Sequence, residues 1–274
     1  MAITAAEVNK LRQETGAGMM DCKNALVEAD GDFEMAIDIL RKKGQKVAAK
    51  RADRSSNEGR VIAKTTADHK FGAVVVVSCE TDFVGKNADF VAFADSIIDV
   101  AIANKATDRE QLLNLQINGQ TVNELLMEMT GKTGEKVEIP AYQVIEAASV
   151  ASYNHNGNRL ATIAGFNLPD MDSVGHDIAM QIAAMNPISV SAAEVSQATI
   201  DHELELAREI IRQEGKPENM VEQIAQGKLN RFFKENTLLK QDFIKDSKMT
   251  VEDYLKTANK ELTCTGFFRL QLGA

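Results

Sequence analysis

Several residues in this 274-residue chain are of types that could do chemistry, but their spacing argues against most of it. Thr130-Gly131-Lys132-Thr133 has the ending of a phosphate-binding loop. That loop needs a glycine five places before Gly131, and Leu126 stands there, on a stretch that reads as a helix where the motif needs a strand. The polar run 156–165, NGNRLATIAG, lacks the GxGxxG spacing of a dinucleotide loop and reads as a turn entering a strand. His69, His155, His176 and His202 are scattered, with no i, i+4 pair and no HExxH, so no metal site is expected. Cys79 beside Glu80 has the parts of an activated nucleophile, but a small thiol at a strand end more often simply packs. Asp82 could act as an acid, yet no second carboxylate or histidine stands at a motif distance, and its ordinary role is helix capping. No covalent reaction can be proposed from these residues and no cofactor is expected, although an absent motif does not exclude an enzyme, because catalytic groups can lie far apart in sequence.

A binding function fits the bulk properties. A formal net charge of -9 disfavours a surface that neutralises phosphates, so direct nucleic-acid contact is not expected and another protein is the better partner. Cys22, Cys79 and Cys264 are odd in number and far apart, without CxxC, as in a reducing compartment. The start lacks a basic region followed by an apolar run, and no 18-residue apolar stretch occurs, so the expectation is a cytoplasmic protein with no signal peptide and no membrane contact. Phenylalanine dominates the aromatics, with 11 against 3 tyrosines and no tryptophan, so each Phe is either core or an anchor.

The elements that must position these residues are read from periodicity. Residues 1–44 predict a three-helix domain: Thr4 and Glu7 form a capping box, TGAG at 15–18 and ADGD at 29–32 are turns, and Phe33, Ala36, Ile37 and Leu40 mark the third helix. Residues 45–59, basic and then polar, read as a linker whose start can be helical. Residues 60–147 predict a core subdomain: two strands about the turn 67–70, a helix carrying Phe90, Phe93, Ile97 and Val100, a helix capped by Thr121 and Glu124, and a closing strand. Residues 148–190 with 236–274 predict a second, similar subdomain, in which strand, polar turn, strand and helix echo the first. Residues 191–235 are expected to be an inserted helical hairpin opened by a Ser191–Glu194 cap, with stripes Ile200, Leu204, Ala207, Ile211 and Val221, Ile224, Ala225, Phe232. The fold class is therefore α+β with antiparallel sheets and a coiled-coil hairpin. Its stripes can be satisfied within the hairpin, so self-association is permitted but not required.

Two stretches together resemble one family. LRQETGAGMMDCKNAL (11–26) and CETDFVGKN (79–87) are similar to the signature motifs of bacterial elongation factor Ts, the guanine nucleotide exchange factor of the GTPase elongation factor Tu. SYNHNGNRLATI (152–163), HDIAMQIAAMNP (176–187) and LLKQDFIKDSKMTVEDYL (238–255) extend the resemblance in order along nearly the whole chain. The resemblance implies elongation factor Tu as partner and a ubiquitin-associated-like N-terminal module touching its GTPase domain through Arg12, Met19 and Met20. It implies that Thr81, Asp82, Phe83 and Val84 press near the magnesium and phosphate site, with His155, His176 and Gln181 as further contacts. The hairpin would be the family's antiparallel coiled coil, used by some members for assembly.

The chain departs from the family pattern at three places. Gln181 stands where histidine is usual, so no imidazole contact is expected there, and Asp242 stands where proline is common. Gly85 follows Val84 where serine or alanine is more familiar, and is expected to loosen the presented turn. A C-terminal helical module found in some members is expected to be lacking. Of Met19 and Met20, which are adjacent, at least one should face water, while Leu11 should be core. Phe83 alone would read as a core residue, since a lone aromatic near a strand end usually packs inward. With Phe90 and Phe93 available to fill that core, the resemblance turns it outward. The rival reading is a scaffold or chaperone-like binding protein with a coiled-coil assembly arm, and a hydrolase or transferase has no motif to support it.

Overall fold

The computed structural model describes residues 3–273. Met1, Ala2 and Ala274, end positions of the first and last expected units, lie outside the described residues. The chain opens with α1 (Ala5–Thr15), α2 (Met19–Glu28) and α3 (Phe33–Lys50). Thr4 Oγ1 accepts from the Glu7 amide while the Glu7 carboxylate accepts from the Thr4 amide, the capping box read from sequence. Val8, Leu11, Cys22, Ala25, Leu26 and Ala36 form the core of this helical unit.

Two strands follow, β1 (Glu58–Thr65) and β2 (Phe71–Cys79), then a single helical turn α4 (Asp82–Gly85) and the long helix α5 (Ala88–Asn104). Next come α6 (Arg109–Asn114), the short ladder β3 (Gln116–Ile117) and β4 (Gln120–Thr121), α7 (Val122–Thr133) and β5 (Glu138–Glu146). The strands pair antiparallel in the order β1-β2-β5. The valine run belongs to the central strand, and every residue of β2 is buried. Phe71, Ala73, Val75, Val77 and Cys79 face the helices, whereas Val74 and Val76 face a second sheet. A strand covered on both faces shows no polar alternation, which is why its sequence reads as continuous apolar residues.

The second sheet uses β6 (Ser149–Asn154), β7 (Leu160–Phe166) and a strand from the end of the chain; α8 (Asp172–Met185) covers its outer face. A hairpin of α9 (Gln197–Gln213) and α10 (Glu218–Asn236) follows, then β8 (Asp242–Phe243), β9 (Asp246–Thr250), α11 (Val251–Ala258) and the closing β10 (Cys264–Gln271). Its order is β10-β7-β6, again antiparallel. The two sheets share a core of Val61, Val74, Val76, Val150, Ile163 and Leu272, with helices outside each. The outer edge of β1 is covered by the second sheet's hairpin. Asn154 Nδ2 donates to the Ala63 carbonyl at 2.9 Å, Asn154 Oδ1 accepts from the Ala63 amide at 2.8 Å, and the Val61 amide donates to the Asn158 carbonyl at 2.8 Å. The architecture is thus α+β, as the sequence predicts.

Three local differences from the sequence reading have physical causes. Helix α9 starts at Gln197 rather than at the expected Ser191 cap. The Glu194 carboxylate turns back to accept from the Val190 amide and the Ser191 hydroxyl, which holds 192–194 as a 3₁₀ turn, and Ser196 caps the helix by accepting from the Thr199 amide. In α10 the buried stripe runs through Leu229, while Phe232 is half-buried against Phe233 at 5.9 Å between rings. Helix α3 extends to Lys50 because its second half packs across α7.

That crossing explains Thr130–Thr133. Gly131 and Gly44 bring the two backbones together, and a Cβ on Gly131 would lie 2.9 Å from Gly44 Cα. Thr130 is buried and its hydroxyl accepts from the Val137 amide at 3.1 Å. The residues that look like a phosphate loop therefore join two helices. Gly131→Val should push α3 off α7 and destabilise the fold by about 1–3 kcal/mol, read by denaturant unfolding. Gly227→Ala, at a helical site where an added Cβ meets nothing within 4 Å, should instead stabilise it by roughly 0.5–1 kcal/mol.

Candidate functional site

Strand β2 ends at Cys79, and its thiol donates to the Thr81 carbonyl at 3.1 Å. Burial, aided by the negative charges of Glu135 and Glu58, pushes this thiol up to about 12. Cys79 is a packing residue, not a nucleophile. After it the chain needs new partners for its backbone, and it finds them in the loop behind α7. The Glu80 carboxylate accepts from the Lys136 amide at 2.7 Å and from the Arg51 guanidinium at 2.8 Å. The Lys136 N–H and then Arg51 hold that carboxyl below the usual carboxylate range. The Glu135 carboxylate takes both donors of Thr81, the hydroxyl at 2.6 Å and the amide at 3.0 Å.

Thr81 is the N-cap of α4, with extended backbone and a hydroxyl that accepts from the Val84 amide at 3.5 Å. Along this turn Val84 is half-buried against the helix-facing core and Gly85 is buried. A Cβ on Gly85 would sit 3.1 Å from Gly59 N and 3.2 Å from Gly59 Cα. Gly85 therefore seats the turn tightly on β1, the opposite of the loosening expected from sequence. Phe83 between these anchors is 84% exposed. Phe90, fully buried, and Phe93, half-buried, fill the core beneath α5.

At the rim, Asp82 accepts from Lys86 Nζ at 2.6 Å, and that bond with its charge holds the carboxyl below its ordinary range. A shallow recess beside the turn is lined by Glu58, Arg60, Asp82, Lys86 and Arg159, with Arg159 ion-paired to Glu58. The turn thus offers an exposed aromatic ring beside the Asp82–Lys86 ion pair, an arrangement suited to docking on a protein surface that carries its own polar groups. Among the described residues no cluster of three His, Cys, Asp or Glu is arranged to hold a metal ion.

The other expected contact residues fall in two further places. Met19 and Met20 are 50% and 63% exposed, so both face water, while Leu11 is core. Arg12 is exposed near the end of α1. His155, after β6, and His176, on α8, flank Tyr153, whose ring centroid lies 6.0 Å from one and 5.6 Å from the other. Gln181 differs from its expected contact role. It is fully buried, its Oε1 accepts from the Ile244 amide at 2.8 Å, and its Nε2 donates to Gln241 Oε1 and the Asp242 carbonyl, each at 3.2 Å. Its side chain ties α8 to the segment after the hairpin and presents nothing outward. Sequence reasoning missed Glu135, Arg51 and Tyr153, because partners many positions away leave no local pattern.

With this geometry in view, the chain is similar to known proteins along its length. Residues 80–274 match the family model described as "Elongation factor TS". The chain is 50% identical over 273 residues to Elongation factor Ts of Christiangramia forsetii, with 99% of each covered. It is 51% identical over 276 residues to that of Porphyromonas gingivalis, with 100% of each covered. It is also 51% identical over 273 residues to that of Flavobacterium psychrophilum, with 99% of each covered.

The thiol assignment has a direct check. All three cysteines are buried and unpaired. Native protein at pH 8 should therefore react with a thiol-specific chromogenic disulfide only on the timescale of unfolding, and denatured protein should react with all three at once. A fast-reacting thiol in the native state would contradict the packing role of Cys79.

Proposed function

The chain belongs to the elongation factor Ts family, and from that membership we propose that it is a nucleotide exchange factor in translation elongation. It binds elongation factor Tu in its GDP form and promotes loss of GDP, with its magnesium, so that GTP can enter. Nothing covalent is made or broken. A protein that binds the nucleotide-free GTPase more tightly than the GDP form must weaken GDP binding by the same factor.

The observation that carries this reading is the exposure of Phe83, 84% on a turn pinned at both ends. A rigid aromatic can fill a pocket that opens only when the nucleotide site has rearranged, and so supply the differential affinity that exchange requires. Thr81 and Val84 hold the turn, and Asp82, acceptor-only when ionised, can take donors displaced by the rearrangement. The helical domain over residues 1–44 binds the GTPase domain through Arg12, Met19 and Met20, whose exposed thioethers adapt to a partner surface. The subdomain built from 148–190 and 236–274 adds the His155–Tyr153–His176 surface. The hairpin over 191–235 leaves Leu206, Ile210 and Met220 outside its own stripe, which supports its use in dimerising the complex. A scaffold without exchange activity would also form a complex, but only an exchange factor accelerates GDP release.

Phe83→Ala should lower the maximal stimulated release of fluorescent GDP from elongation factor Tu by about 30-fold, the scale of a buried aromatic anchor. Its unfolding free energy should stay within about 0.5 kcal/mol of wild type, as for a surface substitution. Undiminished release, or an unfolded variant, would count against the assignment.

A further inference from the structure

We propose that Glu135 is a positioning residue for nucleotide exchange, acting through the turn that carries Phe83. The proposal rests on the exchange reading above and adds a residue to it. Glu135 lies far from Phe83 in sequence, yet its carboxylate takes both donors of Thr81, at 2.6 Å and 3.0 Å. Thr81 is the residue that starts the turn, so its orientation fixes the direction in which the following Phe83 leaves the surface.

The carboxylate is itself held. Helix α7 is capped by Gly134 with φ of 69°, and the Thr133 hydroxyl donates to the Met129 carbonyl at 2.9 Å and accepts from the Glu135 amide at 3.2 Å. On the far side the Lys136 amide donates to Glu80 and the Val137 amide donates to Thr130. Segments 80–81 and 135–136 thus exchange carboxylates and amides reciprocally. Neither carboxylate is left free to swing, because each takes a backbone N–H from the opposite segment. Charge-assisted bonds of this kind are short and directional, which is what preorganising a neighbour demands. The same frame reaches the helical domain, since Arg51, which follows α3, also binds Glu80.

Removing the Glu135 carboxylate leaves the Thr81 cap to Val84 in place but frees the residue to rotate. The complex still forms through its other surfaces, so the loss appears in the rate within the complex rather than in its formation. A glutamine at 135 can replace most of the function. Its oxygen can accept from the Thr81 amide, and its NH₂ can donate to the hydroxyl, which accepts as well as donates.

The test is a double-mutant cycle on release of fluorescent GDP from elongation factor Tu, followed over a range of exchange-factor concentrations. Glu135→Ala should lower the maximal rate about tenfold and leave the half-saturating concentration within about twofold. Glu135→Gln should stay within about threefold of wild type. The double variant Phe83→Ala with Glu135→Ala should be no slower than Phe83→Ala alone, because one effect passes through the other. Should Glu135→Ala fail to fold, Thr81→Val carries the test, with an expected fall of about threefold that is likewise absent in the Phe83→Ala background. A wild-type rate in Glu135→Ala, or in Thr81→Val where it stands in, losses that multiply in the double variant, or a raised half-saturating concentration at an unchanged maximum would overturn the role of Glu135 while leaving the exchange reading intact. Wild-type release by Phe83→Ala would overturn the exchange reading itself, and the role of Glu135 with it.

Discussion

The Glu135 carboxylate accepts from the Thr81 amide and hydroxyl, and the Glu80 carboxylate accepts from the Lys136 amide. These bonds carry the chain out of a fully buried strand and into a turn that stands in water. Leaving Phe83 exposed forgoes about 1.5–3 kcal/mol of burial, and a mobile loop would recover part of it by folding the ring back. The turn does not, because Thr81 is fixed at one end and Gly85 is seated on Gly59 at the other. Strand β2 supplies the base. Covered on one side by helices and on the other by the second sheet, it cannot slide without exposing an entire row of valines.

The rest of the architecture connects to this frame at named points. Glycines 44 and 131 let α3 lie directly on α7, and the loop that ends α7 delivers Glu135 and Lys136 to the strand end. Arg51 continues from α3 to the Glu80 carboxylate. The helical domain and the Phe83 turn are therefore mechanically continuous.

Much of this was legible in the residues. The capping boxes at Thr4 and Thr121 are local rules, and both form. Strand–turn–strand–helix order and the hairpin stripes follow from periodicity, which reports the face an element buries. What stayed hidden is set by contacts distant in sequence. Nothing near Ser191 signals that Glu194 will turn back on Val190 and delay α9. Nothing near Gly85 shows that Gly59 will lie against it, so its meaning was read with the wrong sign. The resemblance placed Gln181 among the partner contacts, and only the returning segment at 241–244 buries and satisfies it. Both methionines at 19 and 20 are exposed because the small core of the helical domain is already filled by Leu11, Cys22, Ala25 and Leu26.

The central claim is that the Phe83 side chain meets the nucleotide site of the GTPase. Replacing Phe83 with a benzophenone-bearing phenylalanine and irradiating the complex with nucleotide-free elongation factor Tu tests it most directly. Peptide mapping should find the adduct in the segments of the GTPase domain that bind phosphate and magnesium. A stable complex whose adduct lies elsewhere, or that yields none, would contradict it.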